Sequence, residues 1–251
     1  MTRIRTIFII LIVPGFAFQI QAQNESFLGL TLGTAMPQGT YAEKEYKTEG
    51  AGYANTGFLF TFDGTIFPDD YLGIGATVTY GSNNPDKKKY KADLINDVLG
   101  RYPGLEDFEE NIKFDYGVWK YLNFHIGPAV TIPAGPLNFD LRILGGLSLA
   151  WAPDQNFQIF DDTEEQLFSR NIQEKAVPTL GFTAGAGIRY ALKGGYVLRF
   201  LAEYSNCKPT ITTTESIVDA IVEDQEPLET EVAMPIKNIQ LSFGIAYNFE
   251  L

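Results

Sequence analysis

Few side chains in this sequence could do chemistry. The single histidine is His125. With Ser148 and either Asp140 or Glu203 it could make a Ser–His–carboxylate relay of the acyl-transfer kind. No spacing ties these residues together, so the plainer reading is preferred: an interior histidine held by hydrogen bonds. Asp63, Asp140, Arg142, Arg189, Arg199 and Glu203 supply both signs of charge. Asp140 and Arg142 are two residues apart, Arg199 and Glu203 four, which places each pair on one face of an extended strand. These six residues and His125 form the candidate polar network of an interior. Cys207 is the only cysteine, which excludes an intramolecular disulfide and a cysteine-cluster metal site. No Asp-x-Asp-x-Asp-Gly loop is present. The expectation is a non-enzymatic protein without catalytic, cofactor-binding or metal residues.

The elements that position these residues alternate with a period of two, the signature of strands. Phe58, Phe60, Phe62 and Ile66 oppose Thr61, Asp63 and Thr65; Leu72, Ile74, Ala76, Val78 and Tyr80 oppose Gly73, Gly75, Thr77 and Thr79. Leu122, Phe124, Ile126, Val130 and Ile132 lie opposite Asn123, His125 and Thr131. Leu137 to Trp151 carries seven apolar residues against Asn138, Asp140, Arg142, Gly146 and Ser148. A third hairpin runs through Leu180–Tyr190 and Tyr196–Tyr204, with Arg189, Arg199 and Glu203 on its polar side. Leu28–Gly33 and Ile239–Phe249 complete eight strands.

Tight joints at 68–70, 133–136 and 193–195 alternate with long ones at roughly 37–53, 82–117, 152–176 and 207–235. Short periplasmic turns, long external loops and an even strand number are the pattern of an antiparallel transmembrane up-and-down β-barrel. Of the 31 acidic residues, 24 fall in the long joints, so the charge sits outside the cell. Solvation explains such runs; a basic partner or divalent cations near lipopolysaccharide are the functional readings. Ala92–Leu99 has helical spacing and Ser216–Val222 a similar run, segments expected to fold over the barrel mouth or extend its strands.

Residues 1–22 have the order of a signal peptide: Arg3 and Arg5, an apolar run from Ile7 to Phe18, then Ala22. Twelve residues are too few for a membrane helix, which needs about 20. Cleavage after Ala22 leaves residues 23–251 as the barrel domain. Its formal charge moves from -12 to -14 with the loss of the two arginines, which disfavours nucleic-acid binding. Tyr80, Trp151 and Tyr204 lie at the loop ends of their strands, and Tyr190, Tyr196, Tyr247 and Phe249 at the turn or terminal ends. Two aromatic girdles at the membrane interfaces follow. A face of Gly, Thr, Ser and few ions suits a narrow packed lumen, since eight strands enclose just enough room for side chains.

Leu28-Gly29-Leu30-Thr31-Leu32-Gly33 at the first strand and Leu241-Ser242-Phe243-Gly244-Ile245-Ala246-Tyr247-Asn248-Phe249 at the last, behind an exported start, resemble the small outer-membrane β-barrel family of OmpX, the OmpA barrel and the PorT-like proteins. The chain departs from such families by running past its final aromatic through Glu250 to Leu251. The resemblance implies outer-membrane localisation, contact with lipid and lipopolysaccharide, and a surface-interaction or envelope-integrity role, with a monomer the expected state. It also leaves open an accessory role in an outer-membrane export or assembly machine, and a lipid-modifying enzyme as a lesser alternative. A protein partner would be met through the external loops.

Overall fold

The computed structural model describes residues 26–217 and 227–250. The expected signal segment, 1–22, lies outside the described residues. Eight strands close into an antiparallel barrel: β1 (Ser26–Pro37), β2 (Gly57–Ile66), β3 (Leu72–Asn83), β5 (Trp119–Ala134), β6 (Leu137–Trp151), β9 (Ala176–Ala191), β10 (Tyr196–Cys207) and β13 (Ile236–Phe249), with β1 paired to β13. Alternation dictates the closure. In one rung Leu30 lies opposite Phe62 on one side and Ile245 on the other, all facing outward; in the next, Thr31 lies between Thr61 and Gly244, facing inward. A closed ladder leaves no edge, so every strand pairs on both sides, as a backbone in lipid requires.

The tight joints fall where the prolines and glycines are. Gly135, Gly194 and Gly195 all take positive φ in the β5–β6 and β9–β10 turns, a conformation glycine adopts without a Cβ clash.

The long joints are not structureless. Five of their segments, β4 (Ile112–Tyr116), β7 (Gln155–Phe160), β8 (Gln166–Ile172), β11 (Thr210–Ile217) and β12 (Leu228–Ala233), form a second sheet in the order β12-β11-β8-β7-β4. That order repeats β13-β10-β9-β6-β5, because each cap strand is joined to its barrel strand by only two or three residues. Five of the eight wall strands therefore continue outward as an open sheet. Three of the five breaks carry a proline, Pro153, Pro209 and Pro235, which lacks the N–H needed to carry a ladder through.

Residues Lys87–Arg101 form a helix, α1, that contains the expected Ala92–Leu99 segment. Asp86 caps it by accepting from the Lys89 N–H at 3.2 Å. Tyr90, Leu94 and Val98 recur every fourth residue and are buried against Tyr116, Phe157, Ile159 and Phe168 of the sheet. The expected helix-like run Ser216–Val222 is corrected in its first two residues: Ser216 and Ile217 are the end of β11, opposite Ser169 and Phe168. The remainder of that run lies outside the described residues.

Candidate functional site

Asp63, His125, Asp140, Arg142, Arg189, Arg199 and Glu203 all point into the barrel and are buried. Asp63 on β2 is the hub. Its two oxygens accept from Arg199 at 2.5 and 2.9 Å and from Arg142. Arg142 also forks onto Glu203, with Nε–Oε1 at 2.6 Å and Nη2–Oε2 at 2.9 Å. Arg189 makes the same fork with Asp140 at 2.7 and 3.0 Å and donates to Thr131. Three carboxylates thus meet three guanidiniums, and the interior charge sums to zero.

His125 is held by Thr183 at Nδ1 (3.0 Å) and Ser148 at Nε2 (3.1 Å). The Ser–His contact exists although nothing in the spacing tied it: Ser148 pairs with Asn123, two residues from His125 on the same face, which makes the two diagonal neighbours. No hydrogen bond joins a carboxylate to the imidazole among the described residues; Asp140 and Glu203 are taken by arginines.

An apolar cluster lies at each end of this interior, and the alternation revealed neither. At the tight-turn end Phe27 and Phe67 pack with Val197 and Ala246. The Phe27 ring lies 4.5 Å from the Arg189 guanidinium and 4.3 Å from that of Arg199, so its π face attracts both cations. At the other end Leu59, Trp119 and Tyr121 cluster with Tyr41 from the loop 38–56. Gly81 makes room for Tyr121, whose ring atoms would lie 2.0 Å from a Cβ there.

Above that cluster the cap has a core of its own. The Trp119 indole donates to the Gly52 carbonyl at 2.8 Å, fastening the loop 38–56 to the barrel rim. Tyr53 holds φ of +51°, and its hydroxyl donates to Asp93 of α1 at 2.7 Å. Tyr90 stacks on Tyr116 at 4.5 Å and meets Tyr53 edge-on at 5.0 Å. Arg170 donates to the Tyr46 hydroxyl and pairs with Glu215 at 3.2 Å; Glu215 in turn takes Arg101 at 3.0 Å. A cavity of about 190 Å³ is lined by Tyr46, Tyr53, Tyr90, Tyr116, Trp119 and Arg170 among others. Burial pushes the phenols of Tyr46, Tyr53, Tyr90 and Tyr116 above their ordinary range, so they remain neutral hydrogen-bonding groups.

The outer face of the barrel is the inverse of its lumen. Leu30, Phe60, Ile74, Phe124, Ile143, Phe182, Phe200 and Phe243 put a large exposed apolar side chain on every barrel strand. Tyr80, Trp151 and Tyr204 stand toward the cap end of that surface, and Tyr190, Tyr196, Tyr247 and Phe249 toward the turn end, with Tyr196 and Tyr247 in edge contact at 5.6 Å. Exposed apolar patches on soluble monomers rarely exceed a few hundred Å², whereas this surface encircles the molecule. Its solvent is hydrocarbon. The chain is a transmembrane β-barrel.

No family model matches the chain, and no curated protein matches its sequence. Among solved structures it is similar to the outer membrane protein OprG from Pseudomonas aeruginosa, at 11% identity over 91% of this chain and 97% of that one, with a TM-score of 0.47. A major outer membrane protein from Thermus thermophilus gives 13%, 90%, 99% and 0.45. Ail, the attachment invasion locus protein of Yersinia pestis, gives 13%, 90%, 97% and 0.40. With a closed antiparallel barrel, a lipid-facing belt and alternating short and long joints, this protein is an outer-membrane β-barrel.

Proposed function

We propose that the protein is a closed, non-enzymatic outer-membrane barrel that serves as the base for a folded cap and makes contact at the cell exterior through it. The observation carrying this reading is that the long joints hold a sheet, a helix and a buried aromatic cluster of their own. Barrel closure needs none of these elements, and a preorganised surface lowers the ordering cost of binding.

A closed lumen is supported by the forked ion pairs between two apolar clusters. A non-enzymatic one is supported by an imidazole whose two ring nitrogens meet only the hydroxyls of Thr183 and Ser148. The test is conductance of the purified protein in planar bilayers, with protease accessibility of the cap on intact cells. No sustained ion current and a cap cut only slowly are the expected results. A steady open channel, or a cap digested as fast as an unfolded chain, overturns the proposal.

A further inference from the structure

We infer that the cap cavity is a binding site for one saccharide ring of a glycan at the cell exterior, an inference that rests on the cap being the contact surface. The cavity is walled by Tyr46, Tyr53, Tyr90, Tyr116, Trp119 and Arg170. A pyranose ring presents C–H faces and a rim of hydroxyls. Aromatic rings with a polar tip meet both at once, and a mostly apolar wall with a few placed polar groups is the ordinary form of a small-ligand site. The phenols stay uncharged, and the buried Nε–H of Arg170 has no acceptor among the described residues.

The volume argues for a single ring. At about 190 Å³ the space lies below the ~300 Å³ at which pockets for drug-sized ligands begin. The walls are also preformed. Tyr53 is held in the left-handed region, which an aromatic residue rarely adopts. A Cβ on Gly52 would stand 2.6 Å from the Tyr41 carbonyl oxygen, so the backbone beside Tyr53 is packed without slack. Strain of this kind persists only where the surroundings over-determine it, and it concentrates at ligand sites.

Two other ligand classes fit less well. A ring of tyrosines would suit a quaternary ammonium ion, but the Arg170 guanidinium already stands 5.7 Å from the Tyr46 ring centre, so the wall carries its own cation. An acyl chain would leave Glu49, Thr213 and the guanidinium facing hydrocarbon.

The experiment uses the full chain in detergent micelles with Trp151→Phe, which leaves Trp119, one of two tryptophans, as the only indole. Its emission is followed while methyl glycosides of glucose, galactose, N-acetylglucosamine and glucuronic acid are titrated, with tetramethylammonium and decanoate in parallel. The expected result is a saturable change with at least one glycoside in the millimolar range, weakened about tenfold by Tyr46→Ala. Tyr46 is half-buried at the cavity mouth, and near-ultraviolet circular dichroism checks that the variant keeps its cap. Silence toward all four glycosides, a response to tetramethylammonium or decanoate alone, or a glycoside response untouched by Tyr46→Ala overturns the inference. Protease resistance of the cap on intact cells separates the two readings: a resistant cap that ignores sugars removes only this one, and a digested cap removes both.

Discussion

Removing the charge of Asp63 is the sharpest test of the lumen. Asp63→Asn keeps the volume and one acceptor but leaves the interior with three guanidiniums and two carboxylates. Arg142 keeps its fork onto Glu203 at 2.6 and 2.9 Å, so the loss falls on Arg199. Its only carboxylate among the described residues is Asp63, and what it retains is the Phe27 ring at 4.3 Å. Breaking one partner of a buried pair costs about 3–5 kcal/mol, because the other charge is left unpaired. Asp140→Asn should fall at the low end of that range, since Arg189 keeps Thr131 and two aromatic rings. The assay is urea unfolding from phospholipid vesicles followed by tryptophan emission, with heat-modifiable gel migration as a second readout. The double substitution Asp63→Asn with Arg199→Met removes the stranded cation and should recover most of the loss. A loss under about 1 kcal/mol for Asp63→Asn is the value of a solvated pair; with it, or with no rescue, the dry ion cluster is refuted.

Three further outcomes concern the cap. Leu94→Ala empties a fully buried position on α1; it should cost the cap about 2–5 kcal/mol, speed proteolysis between α1 and β4, and leave heat-modifiability of the barrel unchanged. Gly52→Ala drives a Cβ into Tyr41, at 2.6 Å from its carbonyl oxygen and 2.8 Å from its ring, so the loop 38–56 should detach and Trp119 emission should shift red. Acid should loosen the cap before the barrel. A side-chain hydrogen bond from Lys44 and the capping Lys89 N–H hold Asp86 below the usual carboxylate range. Asp93 sits low as well, where burial pushes up but hydrogen bonds from Lys89 and Tyr53 outweigh it. A carboxyl lowered by folding stabilises fully above its unfolded value near 4 and loses that contribution as pH falls through its folded value. Near-ultraviolet circular dichroism of the cap tyrosines should therefore fade below about pH 4, and Asp86→Asn should flatten that dependence.

The barrel was legible because its signal is local. One face of Leu30, Leu32, Phe58, Phe60 and Phe62 against another of Thr31, Thr61 and Asp63 requires only period two. The network was legible as a set of residues and not as a geometry. Asp63, Arg142 and Arg199 lie on β2, β6 and β10, which are not neighbours in the wall, so their meeting depends on barrel diameter and stagger, which one sequence does not encode locally. His125 and Ser148 meet through the same missing quantity, register. The cap sheet had weaker cues that were readable: Phe157 and Ile159 alternate with Asn156 and Gln158, and Thr210–Thr214 is rich in a β-branched residue. Runs of five to eight residues beside proline and acid clusters read as loop instead. The cavity was out of reach, since Tyr46, Tyr90 and Arg170 come from three different joints.

The two tiers obey one rule under two solvents. Along the barrel strands the apolar side chains face out, as Phe124 does, and the ions face in. Beyond the breaks at 117–118 and 152–154 the sense reverses: Phe157 and Ile159 turn inward and are fully buried, while Asn156 and Gln158 face out. A reversal of this kind within a nearly continuous wall marks where hydrocarbon gives way to water, because the apolar face must always avoid the polar medium. Serine at Phe124 and at Phe157 should therefore fail in opposite places. Phe157→Ser should empty the cap core and leave the barrel assembled. Phe124→Ser should leave the cap intact and weaken insertion into vesicles. If both substitutions damage the same tier, the membrane boundary has been placed wrongly.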